Sequence, residues 1–257
     1  MTGRAPAPAP GRGGGWGAGV SRVQRDSVAG RAYLDVQNLA RRTRRPTAEL
    51  LHAYVLEGFL ARLTCSPEAG GLVLKGGVLL AAFAARVRFH VDVNVGDPIW
   101  PAPELVDLPR VLGGTLRITG YPLAMVYAEK IVTAVERGVA NTRWRDFADV
   151  YLLSRAHDAN GGEVVAALTR VAEHRQVTLS PLTTAVAGFL RLAQSRWAAW
   201  RRRQLLDGLL PEDFAEVLDA VIAFADPCLR AGAAPGVWDA TTRRWIPVGE
   251  PPDSPKG

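Results

Sequence analysis

Leu50, Leu51, Tyr54, Val55, Phe59 and Leu63 recur at intervals of three and four, the spacing of one helix face, and predict a helix over TAELLHAYVLEGFLARL. Pro46 breaks the chain before it, and Thr47 with Glu49 reads as an N-cap followed by an acidic first turn. An earlier helix over RAYLDVQNLARRT takes its first signals from about Ser27. Pro67 and Gly70-Gly71 stop the second helix, and the pattern then changes. Leu72–Lys75 (LVLK) is a short apolar run bounded by glycines, which predicts a buried strand. Gly76-Gly77 is a turn, and VLLAAFAAR leaves it as a helix. Val91, Val93 and Val95 alternate with His90, Asp92 and Asn94, a period of two that marks a strand with one apolar and one polar face. GTLRIT, residues 114–119, reads as a second such strand. The helical period returns in YPLAMVYAEKIVTAVER, TRWRDFADVYLLSR, GEVVAALTRVAEH, one long helix over PLTTAVAGFLRLAQSRWAAWRRRQLL, and PEDFAEVLDAVIAFA. VWDATTRRWIPV fits a small hairpin or an extended arm. There is no internal repeat. The expectation is an α+β fold: a small mixed sheet flanked by helices, followed by a C-terminal helical lobe.

Composition refines this picture at the ends and in the charges. Residues 1–26 are Pro/Gly-rich and predict a disordered leader; 27–157 would form the sheet-bearing lobe, 158–230 the helical lobe, and 231–257 an extended arm and tail. The chain has 257 residues, 48% of them apolar and 22% charged, which excludes a wholly disordered protein. No apolar run approaches the roughly 18 residues of a membrane span, and MTGRAPAPAP lacks the apolar core of a signal peptide. Cys65 and Cys228 show neither pairing nor metal-type spacing, so a reducing cytoplasm is the expected compartment. The net charge of +6 is carried almost entirely by arginine. The only lysines are Lys75, Lys130 and Lys256, and a lysine kept in an arginine-rich chain points to a need for a compact ammonium.

Four groups of residues carry possible chemistry. A strand ending in Gly76-Gly77 before a helix leaves backbone N–H groups open to an anion, although such a pair is more often just a turn. His90, Asp92 and Asn94 share one sheet face, where a carboxylate beside a phosphate cradle would hold a divalent cation; an ordinary polar strand face looks the same. Lys130, beside Glu129 on one helix, and Asp146 and Asp149 on the next can meet in one pocket, with Arg145 adjacent. The lysine would take a phosphate and Asp146 a proton, while an interhelical salt bridge is the plainer alternative. Ser195–Arg203 interleaves Trp197 and Trp200 with arginines, which suits RNA but fits a buried indole face equally. The run Arg41, Arg42, Arg44, Arg45 has the same two meanings.

The order of these signals resembles the AbiEii/AbiGii family of nucleotidyltransferase toxins, and most of all its MenT-like, actinobacterial branch. The resemblance runs from about Arg31 to Arg155, and AEK followed by RDFAD carries it. It implies a sheet of the nucleotidyltransferase type. It further implies that Gly76 and Gly77, with Lys75 and Arg145, cradle a nucleoside triphosphate, that Lys130 binds it, and that Asp146 serves as base or orients the acceptor. Mg²⁺, a tRNA or protein acceptor and a repressor-like antitoxin partner are implied as well. The chain departs from the family in one respect: the Asp-x-Asp pair usual on the strand after the Gly-Gly helix is missing. Asp92-x-Asn94 is either a degenerate version of that metal pair or, on the longer match of FHVDVNVGDPIWP, a residue of a later strand with the pair lost. Asp92 is then the remaining metal-ligand candidate. Loss of the pair leaves open a catalytically degenerate relative that binds an antitoxin or RNA.

Overall fold

Ser27 starts the first helix, its hydroxyl accepting from the Gly30 N–H at 2.9 Å. The computed structural model describes residues 25–83, 98–204, 206–230, 232 and 235–247. Residues 1–24, the expected strand with His90, Asp92 and Asn94, and residues 248–257 lie outside them. Helix α1 (Val28–Thr43) ends at Arg44 in the left-handed region, and α2 (Thr47–Leu63) follows. Thr47 is the first helical residue and makes no capping bond, because Pro46 occupies the cap position; Glu49 instead pairs with Arg45 at 2.6 Å. The two helices bury a small cluster of their own, Val36, Ala40 and Leu50.

The expected strand at 72–75 is reduced to one residue. Leu74 donates its N–H to Thr119 O (2.8 Å) and accepts from the Tyr121 N–H (3.0 Å), a parallel bridge to Gly120. Helix α3 (Gly76–Phe83) begins two residues later. Strands β1 (Glu104–Pro109) and β2 (Thr115–Gly120) form an antiparallel hairpin in which Glu104 pairs with Gly120 and Pro109 with Thr115. With the Leu74 bridge this sheet is mixed. Gly120 is required where the three segments meet, since a Cβ there would lie 2.7 Å from Leu79 Cδ1 and 3.0 Å from Val106 Cγ2.

Helix α4 (Leu123–Arg137) is apolar in nearly every direction, and a helix of that kind must be surrounded. It packs against α5 (Trp144–Ala156), α6 (Gly161–Arg175) and α7 (Leu182–Ala185), with Tyr127, Ala128 and Val132 fully buried. The single long helix expected over 181–206 is broken into α7 and α8 (Leu190–Arg203). Gly188 adopts φ +80°, and the turn sends Phe189 into the core, stacked on Trp144. Asp226, on α9 (Phe214–Leu229), fixes the start of α7 by accepting from the Leu182 N–H (2.6 Å) and the Thr183 hydroxyl.

The C-terminal segment forms the hairpin allowed for it: β4 (Val237–Asp239) and β5 (Arg244–Ile246), joined by the two-residue β3 (Ala159–Asn160). Trp238 donates to Ser154 O at 2.6 Å and Trp245 to Phe224 O at 3.0 Å, so two indoles seal the ends of α5 and α9. One continuous apolar cluster runs from Leu60 to Trp238. Among the described residues, no helix is long and apolar enough to cross a membrane.

The two thiols differ sharply in setting. Cys65 is exposed, whereas Cys228 is buried in α9 and its thiol is pushed up to about 12 by burial. Thiolate is the reactive form, so at pH 8 Cys228 is expected to react on the order of a thousandfold more slowly with a thiol reagent. Titration of the native protein should give one fast thiol, and two after unfolding in guanidinium. Two fast thiols in the native protein would show that α9 is not packed as described.

Candidate functional site

Successive residues on a helix point about 100° apart, and the polar pair Glu129-Lys130 uses this to reach two different neighbours of α4. Glu129 turns to the Gly-Gly end of the molecule, where its Oε1 lies 3.3 Å from Lys75 Nζ. Lys130 turns to α5, where its ammonium lies 2.7 Å from Asp149 Oδ2 and 3.5 Å from Asp146 Oδ1. Asp146 and Asp149 share a face of α5 at i,i+3. Lys75 and Lys130, the lysines singled out by composition, are thus tied to adjacent positions of one helix.

Both ion sets extend beyond the residues anticipated from the sequence. The Asp146 carboxylate meets the Arg143 guanidinium at 2.9 Å, without hydrogen-bond alignment. Arg143, three residues earlier, takes the place expected of Arg145, which is half-buried and outside this set. Buried Asn141 fixes the entry to α5 by accepting from the Arg143 N–H at 2.7 Å. On the other side, Arg175 at the end of α6 donates to the Thr133 hydroxyl (2.9 Å) and lies 3.9 Å from Glu129. Thr133 in turn donates to Glu129 O at 2.7 Å. A glutamate one residue before the lysine was the only sequence signal for this second set. Arg175, 42 positions from Thr133, gave none.

The electrostatics follow from burial. Asp146 and Asp149 are each only 4% exposed. Burial works against the Lys130 charge, yet Asp149 and Asp146 outweigh it and hold the ammonium above its ordinary value. Asp146 moves against the direction of a simple ion-pair partner, because burial lifts its carboxyl more than Lys130 and Arg143 pull it down. The lysine is therefore the more firmly charged member, and Asp146 is the one closer to taking a proton.

Gly76 opens α3 at φ +74°, exposed, and a Cβ there would meet nothing within 4 Å. The first turn of α3 thus has an open approach beside Lys75, the arrangement that lets an anion come close to backbone N–H groups. Gly77 follows it, half-buried.

A divalent cation does not fit the described residues. No group of three His, Cys, Asp or Glu among them converges on one point. Asp146 and Asp149 are a pair of carboxylates, but both face Lys130. Asp92, the expected metal ligand, lies outside the described residues.

The Trp-Arg helix resolves toward the core. Trp197 is fully buried in α8 and donates to Pro211 O at 3.1 Å, and Arg201, 11% exposed at its side chain, lies 3.2 Å from Asp207. Trp197 offers no face on which a base could stack.

Neither the curated proteins nor the solved structures include a match to the chain. The family model described as nucleotidyl transferase AbiEii toxin, type IV toxin–antitoxin system, matches residues 82–220. That span includes Asp92, Lys130, Arg145 and Asp146 and begins just after Lys75-Gly76-Gly77. Covering more than half of the chain, this match shows that the protein belongs to the AbiEii nucleotidyl transferase toxin family.

Proposed function

We propose that the chain transfers a nucleotide from a nucleoside triphosphate to an RNA acceptor, with tRNA the first acceptor to test, as the toxin of a pair whose antitoxin is a repressor-like protein acting in the cytoplasm. The observation that supports this most is that Lys75, at the open start of α3, pairs with Glu129 of α4, and the next residue of α4 is Lys130. In this reading the triphosphate enters at Gly76-Gly77, and the two ammonium groups exchange carboxylate partners for phosphate oxygens. Arg145, in the first turn of α5, is a further candidate for the triphosphate. The acceptor hydroxyl attacks the α-phosphorus, the bond from that phosphorus to the bridging oxygen breaks, and pyrophosphate leaves. Asp146, its carboxyl already raised by burial, accepts the hydroxyl proton. Members of such a family use a divalent metal, Mg²⁺ in the first instance, to neutralise the triphosphate; the described residues bring together no ligand set for it.

A second reading is supported by the closure of the ion set. Lys130 holds both carboxylates at 2.7 and 3.5 Å in a nearly buried position, a stable structural arrangement in its own right. On that reading the protein is a catalytically degenerate relative that binds an antitoxin or RNA. One experiment separates the two: incubation with each of the four labelled triphosphates, total tRNA and Mg²⁺. Transfer requires label in the RNA, abolished in Asp146→Asn. No label with any triphosphate overturns transfer and leaves the binding reading.

A further inference from the structure

The β1–β2 hairpin has the Lys75 end at Gly120 and, at its other end, a turn that is held against the first two helices. Glu57, buried on α2, accepts from the Val111 N–H at 2.7 Å and meets Arg110 at 3.4 Å. Between this turn and α1 opens a cleft of about 760 Å³, lined by Asp35, Asn38, Arg41 and Arg42 on one side and Val111 and Leu112 on the other. Arg41, Arg42 and Arg44 are all exposed there or beside it. Asn38 Oδ1 accepts from Arg41 at 3.1 Å and orients it, while Arg42 and Arg44 are in no ion pair among the described residues. Cations in the last turn of a helix complement its dipole, but that does not account for the cleft.

We infer that this cleft is the docking site for the phosphate backbone of the RNA acceptor, holding it at a distance from the reacting end. The inference rests on the RNA reading above. Arginine forks take phosphate oxygens in pairs, and a nucleic-acid backbone repeats its phosphates closely enough to offer one to each of several neighbouring arginines. Leu112, 39% exposed, supplies an apolar wall against which a ribose or base can lie, and Asp35 and Asn38 can pair with ribose hydroxyls. The distance is suitable too. The six residues of β2 place the cleft about 17 Å from the Gly120 end. An RNA whose terminus lies beside Lys75 therefore presents phosphates a few nucleotides back to these arginines.

The test is binding of fluorescein-labelled total tRNA to the full chain, by anisotropy across a salt series. The variants are R41E/R42E/R44E and, to keep the Arg41–Asn38 bond intact, R42E/R44E. Two to three lost phosphate contacts should weaken binding at least tenfold at about 0.1 M salt and lower the salt slope by roughly 0.7–0.9 for each contact. Unchanged affinity and slope in R42E/R44E, with wild type binding tightly, would overturn the docking site and leave the RNA reading intact. No binding by wild type at any salt would overturn the RNA reading and the docking site with it. Displacement of tRNA by polyglutamate at equal charge concentration would assign the cleft to an acidic protein segment instead.

Discussion

Lys130→Ala is expected to cost about 3–5 kcal/mol of folding stability, because it removes the ammonium held between two nearly buried carboxylates. The pH dependence has a definite sign. In the wild type the raised ammonium keeps its stabilisation in place below the ordinary lysine value of 10.5 and loses it only as pH climbs through the higher folded value. In the variant, Asp146 loses the Lys130 charge that opposes the effect of its burial, so the deficit should be largest near neutrality and narrow below about pH 5. Urea unfolding at pH 7.5 and 4.5 measures both. A deficit that is equal at the two values would mean the carboxylates are not held as charges against Lys130. Structural and chemical roles separate in the neutral triple variant Lys130→Met, Asp146→Asn, Asp149→Asn. It removes all three charges together and should recover most of the stability. Any nucleotide transfer shown by the wild type should be absent from it. Recovered stability with retained transfer would remove all three residues from the proposed chemistry.

Trp197→Ala is the second change of this size. The indole is fully buried, lies 5.2 Å from both Trp200 and Phe214, and satisfies Pro211 O. Truncation leaves a cavity and an orphan acceptor, and about 3–5 kcal/mol of destabilisation is expected. Trp197→Phe should cost less, since it keeps much of the apolar volume and loses chiefly the hydrogen bond. Equilibrium unfolding of both variants checks the order. If Trp197→Ala proved neutral in stability but abolished RNA binding, the indole would be a surface stacking platform and the packing described for α8 would be wrong.

The same two residues show what a sequence reveals and what it hides. Lys130 with Asp146 and Asp149 could be anticipated because helical periodicity places each on a definite face, and two neighbouring helices bring such faces together. The closest contact nevertheless falls on Asp149, the residue taken only as a neighbour, because its position one turn further along α5 meets the lysine more squarely. Arg175 and Glu57 act across long stretches of chain, and no local pattern marks a partner more than 40 residues away. Trp197 was ambiguous for a different reason: arginines between indoles look alike whether the indole faces the core or the solvent. Strand β1 escaped notice because Pro103 and Pro109 bracket it, although Val106 and Leu108 face inward in strict alternation. The break at Gly188 was hidden because the residues on both sides keep helical composition. A left-handed turn that buries Phe189 depends on the aromatic pocket formed by Trp144, Phe147 and Phe214, which is assembled from distant segments.

The C-terminal hairpin has a consequence for the order in which the protein matures. Trp238 closes on Ser154 across 84 residues, and helix α5, which carries Asp146 and Asp149, stays open on that side until β4 and β5 are in place. Contacts of such sequence separation form late, and on the ribosome this one must wait for the last strands to emerge. A nascent chain interrupted before residue 237 would carry every residue of the proposed site and still lack the seal over it. Emergence of β4 and β5, rather than appearance of the proposed site residues, is then the point at which α5 acquires its full packing.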